Sequence, residues 1–270
     1  AGNVTIDGGG TGAASIVNGG GTIQMGGGSL ELRATGGIGS AGTPLATSGL
    51  TDVAATTGTG GIYITNSGGS NINITTVGAT TGLTATTSGD IQVINDGGQI
   101  TVSQQVNAAS GSVTLSNTTN AGAGTIAINN TVQAGGTGTV SIIGQDGVTI
   151  TNATVQTNNG TISIDADSDD DSSGTFTTAG AAPQILATTN DNTITITAAD
   201  ISLGAGTVID NDNGTINLYP SVNTLTIGLG ATAGNFTIDD TEIDYFGPGD
   251  TPTIVIGNNH NASVTFDNFS

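Results

Sequence analysis

Along this chain, apolar residues come in short bursts at every second position, with Thr, Ser, Asn or Gln between them. "GTIQM" begins at residue 21, "GIYIT" at 61, "DIQVI" at 90, "SVTL" at 112, "GTISI" at 160, "NTITIT" at 192 and "GTINL" at 214. A period of two marks a strand with one face buried. No window sustains an apolar period of 3.6 residues, so the chain is expected to be all-β. The side chains agree with that pattern. Ile outnumbers Leu 29 to 11, and Thr and Val are abundant, a choice of β-branched residues that suits a pleated surface.

Gly, Asn, Asp and Ser separate the bursts, and several bursts end directly on asparagine, at Asn66, Asn95, Asn117, Asn129 and Asn152. Gly and Asn accept positive φ at low cost, so these positions read as corners. Every second burst recurs after 20 to 24 residues, as from Ile91 to Val113, from Val140 to Ile162 and from Ile194 to Ile216. A repeat of this length predicts a solenoid. Only 3% of residues are aromatic, too few for a thick core, whereas a narrow interior of small branched side chains is within reach. The expected fold is a parallel β-helix (β-solenoid) of roughly a dozen coils, a rod of about 60 Å, running over 1–270 as one unit. An antiparallel sandwich, whose strands recur every 8 to 12 residues or about that, is the competing fold.

Composition narrows the functions. Ile, Val, Leu and Phe make up 61 of 270 residues, near the level of about 20% below which highly charged chains fail to fold, so the alternation and not the composition argues for order. A single basic residue among Lys and Arg, Arg33, stands against 21 acids, for a net charge of −20. Such a surface repels nucleic acid and anionic membranes, whose phosphates need Lys and Arg to neutralise them. There is no cysteine, hence no disulfide and no thiolate metal site. No run of about 18 apolar residues is present, so membrane insertion is not expected. The chain starts at Ala1 with no charged and apolar leader, which points to a mature piece of an exported protein, extracellular or on the cell surface.

Three stretches carry a resemblance: "GIGSAGTPLATSGLTDVAATTGTGGIYITNSGG" from Gly37 to Gly69, "TISIDADSDDDSSGTFTTAG" with "NTITITAADISLGAGTVIDNDNGTINLYPS", and "LTIGLGATAGNFTIDDTEIDYF". They resemble the filamentous haemagglutinin type of bacterial surface adhesin and exoprotein. The resemblance implies a right-handed parallel β-helix, export, and service as a stalk, adhesin or filament. The amino-terminal secretion cap of that family has no counterpart in this sequence.

Candidate chemistry is sparse. Gly8 to Ala13 fits G-x-G-x-x-A, but a strand pattern follows where a dinucleotide site needs a helix. His260, the one histidine, lies in a polar turn without a neighbouring acid, so no nucleophilic triad is assembled. Asn-x-Ser/Thr acceptors occur from Asn3 to Asn261 at a frequency that so much Asn, Ser and Thr produces unaided. Asp239, Asp240, Glu242 and Asp244 are the best carboxylates for a polysaccharide-cleaving or polysaccharide-binding alternative, with alternation placing the last three on one face. Outward threonines such as Thr193, Thr195 and Thr197 raise an ice-binding alternative, although Ser, Asn, Gln and Asp share those positions elsewhere.

The densest charge is "DADSDDDSSG", an acidic excursion at about 165–175. Alternation predicts Ile162, Ile164 and Ala166 inward, with Asp165 and Asp167 outward. Asp165, Asp167 and Asp169 imitate the start of an EF-hand loop, but Asp170 stands where that loop needs Gly and Phe176 where it needs Glu. Five carboxylates, Asp165, Asp167, Asp169, Asp170 and Asp171, could still share a calcium ion, the only cofactor the residues suggest and not one the fold requires. The other singled-out region is an aromatic-rich end at about 235–270. Phe236, Phe246, Phe266 and Phe269 are candidates there for a subunit contact, or else for an end plug. Strand patterns that reach both termini leave edges free to pair, so the expected partner is another copy end to end, with surface glycans as a further ligand class. The expected function is a non-enzymatic structural or adhesive solenoid, a filament subunit or a segment of an adhesin stalk.

Overall fold

The computed structural model describes residues 2–9, 12–118, 124–187, 189, 191–258 and 262–267. Nearly all regular structure is parallel strand, arranged in three stacks that the chain visits in turn. The first stack comprises Ile62–Ser67, Ile91–Asn95, Val113–Asn117, Val140–Ile143, Ile162–Asp165, Ile194–Ala198, Thr215–Pro220 and Thr253–Ile256, each paired in parallel with the next. The second runs through Ile72–Ile74, Ile100–Val102, Ile126–Ile128, Gly147–Thr151, Thr175–Ala179 and Asp200–Leu203. The third runs through Leu83–Ala85, Val106–Ala108, Val132–Ala134, Thr154–Thr157, Gln184–Leu186 and Val208–Asp210. Two earlier strands, Thr22–Ala34 and Leu45–Thr57, each cross all three faces in one piece. They bend where Gly26 and Gly49 take φ of 57° and 68°.

Alternation sets the interior. Ile62, Ile91, Val113, Val140, Ile162, Ile194 and Ile216 stack in register as one buried row. Ile64, Val93, Leu115, Ile142, Ile164, Ile196 and Leu218 form the next. Each such side chain contributes about 2 to 3 kcal/mol by leaving water, so the rows and the backbone ladder between them hold the coils together without a bulky core.

The number of coils differs from the expected dozen: there are about eight, which at about 4.8 Å each gives a rod near 40 Å rather than 60 Å. A 22-residue spacing is present in three coils, where Ile91 pairs with Val113, Val140 with Ile162 and Ile194 with Ile216. Between those pairs the coils are longer. Ile62 to Ile91, Val113 to Val140 and Ile162 to Ile194 absorb extra residues at the corners. Each coil also spends residues on a short third strand such as Val106–Ala108, too brief to show a period of its own.

Asparagines at the corners divide into two kinds. Asn152 takes positive φ, at 49°, as expected of a turn. Asn66, Asn95 and Asn117 instead sit in register inside the rod, buried. The Asn66 Nδ2 donates to Asn95 Oδ1 at 2.9 Å, and Asn95 Nδ2 donates to the carbonyls of Ser70 and Gly97 at 2.9 and 2.6 Å. Below them the Thr47 hydroxyl and the Leu50 amide both donate to Asn66 Oδ1. The amides thus serve backbone carbonyls that the turn would otherwise strand in a dry interior.

The C-terminal part departs from simple stacking. Thr226–Leu229 pairs with Phe236–Ile238 on one side and Ser263–Phe266 on the other, all parallel. Phe236–Ile238 is therefore inserted out of chain order. Its other side is tied to Asp200–Leu203 through carboxylates: Asp200 Oδ1 accepts the Thr237 amide at 2.8 Å, and Glu242 Oε1 accepts the Leu203 amide at 2.8 Å. Among the described residues, no helix is long and apolar enough to cross a membrane.

The chain's single Arg knots the N-terminal coils. Arg33 meets Asp7 at 3.1 Å and the buried Glu31 at 3.9 Å. The hairpin formed by Thr76–Val77 and Thr80–Thr81 closes over Glu31, whose Oε1 accepts the Thr80 hydroxyl at 2.8 Å and the Ala79 amide at 3.0 Å. The Thr80 bond, with help from Thr5, Ala79 and Arg33, holds the Glu31 carboxyl below its ordinary range against the opposing effect of burial. A carboxyl lowered on folding contributes stability that is present above its unfolded value and lost as the pH falls through its folded one. Exchange protection of the Ala79 amide is therefore expected to be full at neutral pH and to fall only on acidification below the ordinary carboxylate range, and a Glu31→Gln variant to lose that dependence. Protection that falls with acid equally in Glu31→Gln contradicts the assignment.

Candidate metal centre

The acidic excursion begins where alternation ends. Ile162, Ile164 and Ala166 point inward and are buried, and the Ala166 amide still donates to Thr197 O in the next coil at 2.8 Å. The chain then leaves the strand, turns through Asp170 and Ser172 at φ of 57° and 72°, and re-enters at Thr175. Its neck is narrow: a Cβ on Gly174 would lie 1.8 Å from the Ala166 carbonyl oxygen, so only glycine closes the loop. Ser168 N donates to Gly144 O in the preceding coil, and Gly174 O accepts the Ala199 amide of the following one.

Asp167 does not point outward. It is fully buried, because the backbone has left the strand one residue earlier and folds back beneath the loop. Its Oδ2 accepts the Ser172 amide at 3.1 Å and the hydroxyl of Ser221, two coils on. Its Oδ1 has no hydrogen-bond partner, nor has the buried Oδ1 of Asp169. One carboxylate oxygen from each of Asp167, Asp169 and Asp171 lies within 4.8 Å of the others. Asp165 and Asp170 lie outside that trio. Burial pushes the Asp165 carboxyl up to about 6, with the charges of Asp170, Asp167 and Asp169 adding to it. Asp170 borders a recess of about 260 Å³ shared with Ser221, Val222, Asn223 and Thr224.

A second acidic trio, Asp210, Asp212 and Asp250, is equally close but partly solvated. Sequence reading missed it because Asp250 comes from a distant turn, brought near by the Gly247 amide donating to Ile209 O. The proposed carbohydrate carboxylates are placed otherwise than alternation suggested. Asp240, Glu242 and Asp244 share no strand face, since the chain forms a turn and the short 3-10 helix Ile243–Tyr245 there. Asp239 accepts the amides of Thr241 and Glu242, and Glu242 is spent on Leu203 and Asp239. The outward row through Thr195 is Ser163, Thr195, Asn217 and Val255, a mixed one.

Of the aromatic candidates, Phe236 and Phe246 are buried in the core, Phe266 is 76% exposed, and Phe269 lies outside the described residues. His260 lies outside them too, as do Gly10 and Thr11 of the glycine motif, after which the chain makes a bridge at Ile16 and the strand Thr22–Ala34.

These features define a parallel β-solenoid with an acid-lined corner. The chain matches no family model, no curated protein and no solved structure, so the class rests on its own geometry.

Proposed function

We propose that this solenoid is a structural rod, the subunit of an extracellular filament or a segment of an adhesin stalk of the filamentous haemagglutinin type, and that it acts without catalysis. The observation that carries the reading is the placement of its exposed large apolar side chains. Val4 and Val17 lie in the first coil, and Val255, Val264 and Phe266 in the last, while the flanks between present Thr, Ser, Asn and Asp. Apolar side chains on a terminal strand, beside unpaired N–H and C=O groups, favour continuation of the ladder.

The two ends are also unlike. A recess of about 380 Å³ at the first coil is lined by Ile6, Ile16, Val17, Ile23 and Leu45, and at the other end Phe266 offers an apolar knob. Unlike ends that join give an open, head-to-tail filament. A net charge of −20 opposes side-by-side clustering and leaves the ends as the favoured contact.

Electron microscopy of the purified chain is expected to show fibres with an axial repeat of about 40 to 50 Å. Phe266→Asp is expected to abolish them while leaving the circular dichroism of the rod unchanged. Single rods at every concentration, or fibres indifferent to Phe266→Asp, sink the end-to-end contact. Hydrolysis of a polysaccharide panel that is lost in Asp240→Asn would overturn the non-enzymatic reading.

A further inference from the structure

The acidic corner has a property that a solvated charge run lacks. Asp167 is fully buried, and its Oδ1 has no donor although its Oδ2 has two. A carboxylate oxygen out of water and without a partner is an unstable arrangement, and here a second one, Asp169 Oδ1, shares it. The protein cannot supply the missing positive charge. Its one Arg is engaged with Asp7 in the first coils, far along the rod.

We propose that Asp167, Asp169 and Asp171 bind one calcium ion, which staples this corner of the rod. An all-oxygen donor set selects a hard cation over zinc or copper. Oxygens that all lie within 4.8 Å of one another can reach one ion at contacts of about 2.3 to 2.6 Å. Calcium is preferred to magnesium because it accepts an irregular set of carboxylates, whereas magnesium demands a near-ideal octahedron and gives up its waters reluctantly. The Asp210, Asp212 and Asp250 trio has no buried, unpartnered oxygen and makes no comparable demand.

The ion would act beyond its own loop. Ser168 is bonded to Gly144 in the coil before, Ala166 to Thr197 in the coil after, and Asp167 to Ser221 in the next. Four successive coils thus meet at one carboxylate cluster. Calcium there stiffens the middle of the rod, and a chelator loosens it.

Calorimetric titration of the chelator-treated full chain with calcium chloride is expected to show one saturable site with Kd of about 1 mM or below. The melting temperature is expected to rise by about 5 °C when calcium stands a hundredfold above Kd. Asp167 is buried, so its replacement risks the fold. The test variant is therefore the double Asp169→Asn, Asp171→Asn on the more exposed side of the loop, with Asp250→Asn as the control for the other trio. Heat that disappears in the double variant, at unchanged circular dichroism, and persists in Asp250→Asn supports the site. No heat in the wild type, heat that survives the double variant, or heat lost in Asp250→Asn overturns it.

Discussion

Replacing Asn95 with leucine is expected to cost about 4 kcal/mol of stability, although the two side chains are nearly equal in size. Asn95 is fully buried at the middle of the asparagine row. Its amide donates to the carbonyls of Ser70 and Gly97, and its oxygen accepts from Asn66. Leucine removes both sides of that arrangement. The carbonyls and the Asn66 amide remain in the interior, and each buried group left without a partner costs about 1 to 3 kcal/mol. Asn95→Asp is expected to be worse still, because a buried negative charge would face those carbonyl oxygens. The measurement is urea unfolding, with the midpoint falling and the slope unchanged. A loss below about 1 kcal/mol would show that the turn finds other donors.

The second large effect is expected at Gly138, where alanine should prise two coils apart. A Cβ there would lie 2.0 Å from the carbonyl oxygen of Gly111, one coil below. The contact belongs to a column: a Cβ on Gly160 would lie 1.9 Å from Gly138 O, and one on Gly111 would lie 2.3 Å from Gly89 O. All the opposing atoms are backbone, so no side chain can swing away. The ladder between Val113–Asn117 and Val140–Ile143 would have to open by an ångström or more. We expect a loss of about 3 kcal/mol or more, with hydrogen exchange rising first in those two strands. Gly42→Ala, at a position with nothing within 4 Å, is the matched control and should change stability by less than about 0.5 kcal/mol. Equal effects at the two sites would refute the close-packed column.

Much of this fold could be read from the chain because its interior repeats a period-2 rule. Ile162, Ile164 and Ala166 lie inside as alternation required, and the 22-residue register between Ile91 and Val113 was visible as spacing. The coil count was not, since corner insertions of differing length carry no periodic signal. Asn95 and Asn117 looked like turn residues because asparagine suits both a turn and a buried amide row, and only neighbouring coils decide which. The acidic corner was visible as composition, but the burial of Asp167 was hidden, since alternation gives no direction once the backbone leaves the strand. The meeting of Asp250 with Asp210 and Asp212 depends on a turn that returns along the rod, which no local pattern encodes.

The out-of-order strand Phe236–Ile238 has a mechanical consequence. When a stacked rod is pulled from its C-terminal end, each outermost strand can unzip from a single neighbour, one bond after another. Here Ser263–Phe266 and Thr253–Ile256 can leave in that way. The next strand reached, Phe236–Ile238, is held on one flank by the ladder to Thr226–Leu229 and on the other by the Asp200 carboxylate, which accepts the Thr237 amide. It must slide out between two neighbours, with the bonds on both flanks loaded together. The coils below it are thereby shielded by a shear catch, and a pulled rod should give way at its tip before it yields along its length.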